Sequence, residues 1–348
     1  KIRTRPHTLK HDPADAPLPA YHPDTPEVRH DWAQYYDKMT EMDQSVGQIL
    51  KELDEDGLAD STIVFYYGDH GSGMPRSKRW PFDSGLRVPL LLHIPERFKD
   101  LAPSDYVAGG ESTRLTAFVD LGPTAISLAG VQPPSNMQGV PFAGKYEGKP
   151  KEYLFGYRGR MDERIDMVRS CTDGRYVYMR HFYPDRPYLK HVDYMFQTPT
   201  TRVWKEMFDA GKLSEAQAKF WQPKPVEELF DLESDPDEVN NVAGNPENAE
   251  RVAKMRQVLK DWMIETADMG IFTEAEMHQR CVNLSPREYG LGTAMRAGER
   301  VAVAWDAMSD EGIALSDSLD LLRQSDDSGI HYWVARGLAI HAADAPQR

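Results

Sequence analysis

Apolar residues recur at three- and four-residue steps from Trp32 through Tyr36, Met39, Met42, Val46 and Ile49 to Leu53. That is the spacing of one helix face. Thr25 stands where an N-cap belongs, Pro26 suits the first turn, and Gly57 suits a C-terminal stop. The stripe predicts a long helix whose apolar face is core. The period then changes. Thr62-Ile63-Val64-Phe65-Tyr66-Tyr67 is a continuous β-rich run that reads as a buried strand, and residues 88–94 read as a second one. Residues 112–129 read as a helix interrupted at Gly122-Pro123 and closed by Gly130. Helix, strand, loop, strand, helix is α/β organisation.

Beyond about residue 150 the pattern becomes that of an antiparallel sheet packed with helices. Strands are expected over 153–157, 166–171, 175–182 and 227–232, with Thr172-Asp173-Gly174 as a hairpin turn. Helices are expected near 203–208, 215–220 and 246–267, the last preceded by a turn at Asp235-Pro236-Asp237-Glu238. From about residue 285 the chain is helical again, over 294–308, 315–322 and 330–340. The last two helices read equally as one HEAT-type repeat or as a helical hairpin covering the main domain. The expected division is an α/β portion over 1–150, a smaller lobe over 151–284 and a helical tail over 285–348.

A length of 348 residues suits two domains, or one with an appendage. With 40% hydrophobic and 28% charged residues the chain has globular composition. No apolar run approaches the ~18 residues of a membrane span. The formal net charge of −14 argues against a nucleic-acid partner, because phosphate contacts need a basic face. It still permits a local cationic cleft for an anion, since surface charge is screened over about 8 Å. Cys171 and Cys281 form neither a disulfide framework nor a zinc pattern and are expected to be separate and structural. The opening stretch, rich in Pro, His and Asp, begins at Lys1 and reads as an irregular connection. The expectation is that this is the C-terminal part of something longer.

The chemistry gathers in Gly68-Asp69-His70-Gly71-Ser72-Gly73 and the residues after it. In open α/β sheets, ligands bind beyond the carboxyl ends of strands, and Asp69 and His70 stand at such an end. The glycines permit sharp turns and close approach. A carboxylate beside an imidazole is a plausible pair of metal ligands, and Arg76, Lys78 and Arg79 supply donors for a tetrahedral oxyanion. Taken singly, each feature is also what an Asp-capped turn or a solvated basic loop would show. Together on one loop they favour an anion-and-metal site.

Several segments, in order, resemble the C-terminal half of a sulfatase catalytic domain. They are YDKMTEMDQSVG, ILKELDEDGLADSTIVFYYGDHG, a lysine, FDSGLRVPLLLHIP, FVDLGPTAISLAG and VEELFDLESDPDEVNNVAG. The resemblance runs from about Pro17 to Asp268 and is nearest to the heparan N-sulfatase-like branch. It implies an alkaline-phosphatase-superfamily fold, with the C-terminal half of its α/β sandwich in residues 1–150. It also implies hydrolysis of a sulfate ester or N-sulfate, on a sulfated small molecule or carbohydrate, by a formylglycine made from Cys or Ser. Export to the periplasm or beyond is implied as well.

Carried over, Asp69 becomes a metal ligand and His70 takes the next position. Lys78 becomes the lysine that contacts sulfate and offsets charge on the leaving oxygen; Arg76, from its place among the loop's cationic donors, is a second candidate substrate contact. The metal implied is divalent, most often Ca2+, although calcium prefers oxygen and His70 leaves room for another ion. Arg5-Pro6-His7 could supply the family's catalytic histidine, but an ordinary surface role is expected for His7, His11 and His22. Tyr157, Arg158, Arg160, Arg164, His181 and Tyr183 lie where relatives read the rest of the substrate, and most are expected to pack or be solvated. Asp43 is not expected to be a ligand. The nucleophile motif, Cys-x-Pro/Ala-x-Arg or its Ser variant, is absent: Cys171 sits in SCTDGR and Cys281 in RCVNLSPR. The expectation is a truncated sulfatase, inactive alone. The rival readings are a phosphodiesterase or phosphomonoesterase of the same superfamily and a non-catalytic scaffold.

Overall fold

The computed structural model describes residues 8–160 and 164–343. Among them are six strands and seven helices of ten or more residues, with shorter helical turns between. Helix α1 (Pro26–Glu55) starts where its cap chemistry places it, with the Thr25 side chain accepting the Val28 N–H at 3.3 Å. Gly57, at φ 68°, lets the chain leave the helix. Strand β1 (Val64–Tyr67) follows and pairs antiparallel with β2 (Leu90–His93), Val64 opposite His93 and Tyr67 opposite Leu90.

Helix α2 (Phe118–Leu128) is shorter than the pattern suggests but runs through Pro123. The missing Pro123 N–H strands a carbonyl only near the helix start. Asp120 and Thr124 on this helix fasten the chain that follows. Asp120 Oδ1 accepts the Val140 N–H at 2.8 Å and lies 2.6 Å from Lys151 Nζ, and Thr124 Oγ1 accepts the Phe142 N–H at 3.0 Å.

The second lobe is a four-stranded antiparallel sheet in sequential order: β3 (Leu154–Arg158), β4 (Val168–Thr172), β5 (Tyr176–His181) and β6 (Glu227–Asp231). The β4–β5 hairpin forms because Asp173 Oδ1 accepts the N–H groups of Arg175 and Tyr176 while Gly174 takes φ 95°. Helices α3 (Pro199–Asp209) and α4 (Ala249–Glu265) cover its two faces. Alternation along β5 divides the core. Val177 and Met179 join Trp80, Phe82, Trp204, Phe220 and Phe230 on one side. Tyr178 and Phe182 join Met255, Leu259 and Met263 on the other. Trp80 and Phe82 come from the loop between β1 and β2, so that loop is built into the second lobe's core.

The tail helices α5 (Ala297–Ala307), α6 (Leu315–Gln324) and α7 (Ser328–Ala343) extend the α4 side of this core through Trp305 and Trp333. Arg180 on β5 donates to the Trp305 and Met308 carbonyls at 2.7 and 2.9 Å, satisfying the exposed carbonyl end of α5. Gly337 lets α7 approach α5 closely, since a Cβ there would lie 2.7 Å from the Ala307 carbonyl oxygen. Cys171 and Cys281 are both free thiols, and burial pushes the Cys171 thiol pKa well up. No helix among the described residues is long and apolar enough to cross a membrane.

Burial differs from the pattern's expectation in one region. On α1, Val28, Trp32 and Ala33 are buried, but Met39, Met42, Ile49 and Leu50 are exposed. Strands β1 and β2, expected to be buried, leave Tyr67 and Leu90 open on one face, beside exposed Phe118 on α2, and Leu91 open on the other. Among the described residues each of these strands pairs only with the other, so both outer edges of the pair are free of strand partners.

Trp333 is buried and donates its indole N–H to the Ile271 carbonyl at 2.8 Å. Trp333→Ala is expected to cost about 3–5 kcal/mol in urea unfolding. A cost below about 1 kcal/mol would mean that the tail does not share the second lobe's core.

Candidate functional site

The loop from Gly68 to Pro89 leaves β1 at its carboxyl end and folds back on itself. The Gly71 N–H donates to the Gly85 carbonyl at 3.0 Å. A Cβ on Gly71 would lie 1.9 Å from the Ser84 oxygen, and one on Gly85 would lie 2.3 Å from the oxygens of Ser77 and Trp80. Only glycine fits at these two crossings. The closure brings Lys78 back to the start of the loop, its N–H donating to the Ser72 carbonyl at 3.1 Å.

Asp69, 88% exposed, and half-buried His70 lie side by side, with His70 Nε2 3.5 Å from Asp69 Oδ1. His70 Nδ1 is 2.6 Å from the Gly71 carbonyl, which can only accept. Nδ1 therefore carries a hydrogen, which leaves Nε2 as the nitrogen that could ligate a metal. The two donors fit part of a divalent-cation site. No group of three or more His, Cys, Asp or Glu residues able to hold a metal occurs among the described residues. Lys78 is half-buried, and among the described residues its ammonium has no hydrogen-bond or ion-pair partner.

Arg76 is placed otherwise than the sequence suggests. It is buried, at φ 74°, and its guanidinium donates to the carbonyls of Asp237 at 2.6 Å and Glu238 at 2.8 Å. It is sandwiched by the rings of Tyr21 and Phe82, with centroids 4.2 and 3.8 Å away. Arg79, also left-handed at φ 91°, lies over the Tyr194 ring at 4.9 Å.

His22 is the residue whose place the sequence reading missed. It is buried rather than at the surface, accepts the Trp32 indole N–H on Nδ1 at 3.1 Å, and donates from Nε2 to the Pro75 carbonyl at 3.2 Å. Burial pushes its pKa down to about 3. It thus braces the Lys78 loop from beneath, through partners too distant in sequence for any spacing to reveal. His11 Nδ1 lies 2.7 Å from Asp37 Oδ1, and His7 lies outside the described residues.

Most of the second-lobe candidates are occupied internally. Arg158 donates to the Arg79 carbonyl at 2.8 Å and Arg160 to that of Phe272 at 2.5 Å. His181 and Tyr188 both bond Glu228 Oε2, at 2.8 and 2.6 Å. Tyr183 meets Tyr332 at 2.8 Å, whereas Tyr157 is exposed and Arg164 half-buried. Asp43 points to solvent on α1. A separate open cleft of about 590 Å³ is lined by Arg114, Lys151 and Lys254, among others. Arg114 there already pairs with Asp105 and Glu147, and Lys151 with Asp120.

Gly71→Ala is expected to cost about 1–3 kcal/mol, because a backbone carbonyl must move; thermal melts of the variant measure this. Acid sensitivity follows from His22. The unfolded chain takes up its proton as pH falls below about 6.5, whereas the folded chain resists until about 3. Stability contributed by neutral His22 is therefore lost as pH falls through that window. His22→Gln is expected to give a shallower decline in unfolding midpoint between pH 6.5 and 4.5. An unchanged slope would show that His22 does not titrate as its burial requires.

Comparison with known proteins matches residues 5–131 to the sulfatase family model. An ulvan-active sulfatase of Formosa agariphila is 36% identical over 267 residues, covering 76% of this chain and 44% of the relative. Human N-sulphoglucosamine sulphohydrolase is 26% identical over 271 residues, covering 74% and 52%. The likeness is therefore not confined to the heparan N-sulfatase-like branch, and the chain spans about half the length of these curated relatives. A solved 2-O GAG sulfatase shares the fold, of alkaline-phosphatase type, with a TM-score of 0.50 at 20% identity over 84% of this chain and 58% of that one. Residues 5–131 are part of a sulfatase-family domain, and the sequence likeness to sulfatases extends over 76% of the chain.

Proposed function

We propose that this chain supplies the Lys78 side of the active site, together with the second lobe, to a sulfatase that cleaves a sulfate ester or N-sulfate on a carbohydrate. The observation that carries the reading is a half-buried lysine without a partner among the described residues. The loop closure returns it to the strand end where Asp69 and His70 stand. An ammonium so placed can approach a sulfate oxygen and offset the charge that grows on the leaving oxygen.

Asp69 and His70 would hold a divalent metal, which when bound polarises a sulfuryl oxygen. Ca2+ is the family's usual ion, and the imidazole nitrogen admits a softer one. The family's nucleophile, a formylglycine, has no counterpart motif in this sequence. The exposure of the large apolar side chains Met39, Met42, Ile49, Leu90, Leu91 and Phe118 supports completion of the site by further polypeptide. The proposed occupant is the preceding half of the catalytic domain, with the nucleophile and the remaining metal ligands. Arg76 is given no sulfate contact in this reading, because its guanidinium is engaged between the lobes.

The test is turnover of an aryl sulfate and of sulfated oligosaccharides, first by this chain alone and then by the product of the coding region extended upstream. The chain alone is expected to be inactive and the extended product active. Lys78→Ala in the latter is expected to lower kcat by about 10²–10³-fold. Robust turnover by the chain alone, or an extended enzyme indifferent to Lys78→Ala, would overturn the proposal.

A further inference from the structure

The turn after β6 reaches across to the Lys78 loop and grips it at two points. Behind Lys78, Arg76 donates to the Asp237 and Glu238 carbonyls. Beyond Lys78, the Asp83 N–H, at the start of the helical turn Asp83–Leu86, donates to Glu238 Oε2 at 2.8 Å. Residues 76 and 83 bracket Lys78, so both ends of the segment that presents it are held by one residue, Glu238, and its neighbour.

The grip is itself anchored. Asp235 accepts the Val239 and Asn240 N–H groups at 3.2 and 2.8 Å. Asn241 Oδ1 accepts the Leu229 N–H of β6 at 2.9 Å, and Asp237 Oδ2 accepts the Ala20 N–H at 2.8 Å. The turn is therefore fixed to the sheet on one side and to the opening stretch on the other. Glu238 and Arg76 both hold left-handed backbone, at φ 51° and 74°. Neither is glycine, and such conformations persist only where surroundings over-determine them.

We propose that Glu238 and Arg76 are positioning residues, forming a clamp by which the second lobe sets the place of Lys78. The assignment rests on the reading of Lys78 as the sulfate-facing lysine, and it replaces the substrate contact that the sequence suggested for Arg76. Burial, with Asp83 and Glu228 nearby and opposed by Arg76, pushes the Glu238 carboxyl up to about 8. At neutral pH the carboxyl is therefore largely protonated, and glutamine is its close mimic. Glu238→Gln keeps an oxygen for the Asp83 N–H, whereas Glu238→Ala removes it. Arg76→Lys keeps the charge but loses the two-pronged donor.

Two measurements separate the clamp from the sulfatase reading. In the chain as it stands, amide hydrogen exchange is expected to rise about tenfold or more over residues 71–86 in Glu238→Ala and Arg76→Lys. Exchange in β4 and β5 is expected to stay unchanged, and Glu238→Gln is expected to exchange like the unsubstituted chain. Unchanged exchange over 71–86, or a rise spread evenly through the second lobe, would overturn the clamp. In the upstream-extended enzyme, Glu238→Ala is expected to lower kcat about tenfold or more, with KM little changed and Glu238→Gln restoring turnover. A kcat indifferent to Glu238→Ala would also overturn it. An extended enzyme without any turnover would count against the sulfatase reading, leaving the exchange result to decide the clamp.

Discussion

The contact on which the site's architecture depends is the buried guanidinium of Arg76. It lies between two aromatic rings and donates to two carbonyls of a turn more than 150 residues later in the chain. A buried cation is tolerated only when it is hydrogen-bonded and electrostatically supported, and here both hydrogen-bond acceptors and one of the two rings, Tyr21, come from outside its own loop. The β1–β2 connection is thus not a free hairpin. Trp80 and Phe82 lie in the second lobe's core, and the Trp80 indole donates to the Tyr188 carbonyl at 3.2 Å. A long loop closed by two glycines gains rigidity from the sheet it packs against.

The part of the molecule before residue 150 has the opposite character. The sheet of the second lobe is covered on both sides, by α3 and by α4 with the tail. The two strands before it leave Tyr67, Leu90 and Leu91 exposed, and the C-terminal half of α1 leaves Met42, Ile49 and Leu50 exposed. The hydrophobic effect makes such exposure costly in water, which is why the proposed function places further polypeptide there. Asp69 and His70 directly follow β1, and the Lys78 N–H is bonded back to Ser72 in the same loop.

Much of the local structure was legible because its causes are local. Thr25 and Pro26 start α1, Thr172-Asp173-Gly174 turns the β4–β5 hairpin, and period-two alternation marks β5. Lys78, Asp69 and His70 fall together on one loop, as their spacing suggests. Other assignments failed for a physical reason. Arg76 looked like its neighbours in a basic loop, but a guanidinium's role is set by the acceptors it meets, and those lie in the second lobe. His22 looked like one of several surface histidines until Trp32 and Pro75 closed around it. The stripe on α1 correctly marks an apolar face, but periodicity does not say what covers it.

The sequence by itself determined the elements, their order, the glycine-rich strand-end loop and the family, because these rest on residue type and short-range spacing. Only the tertiary structure decided which charged side chains are spent on holding the lobes together and which stay available. It set Glu238 against both Arg76 and Asp83, turned Asp120 and Thr124 into fasteners, and left Lys78 without a partner among the described residues. Those outcomes depend on contacts between segments far apart in the chain, and no local pattern encodes which partner a buried polar group will find.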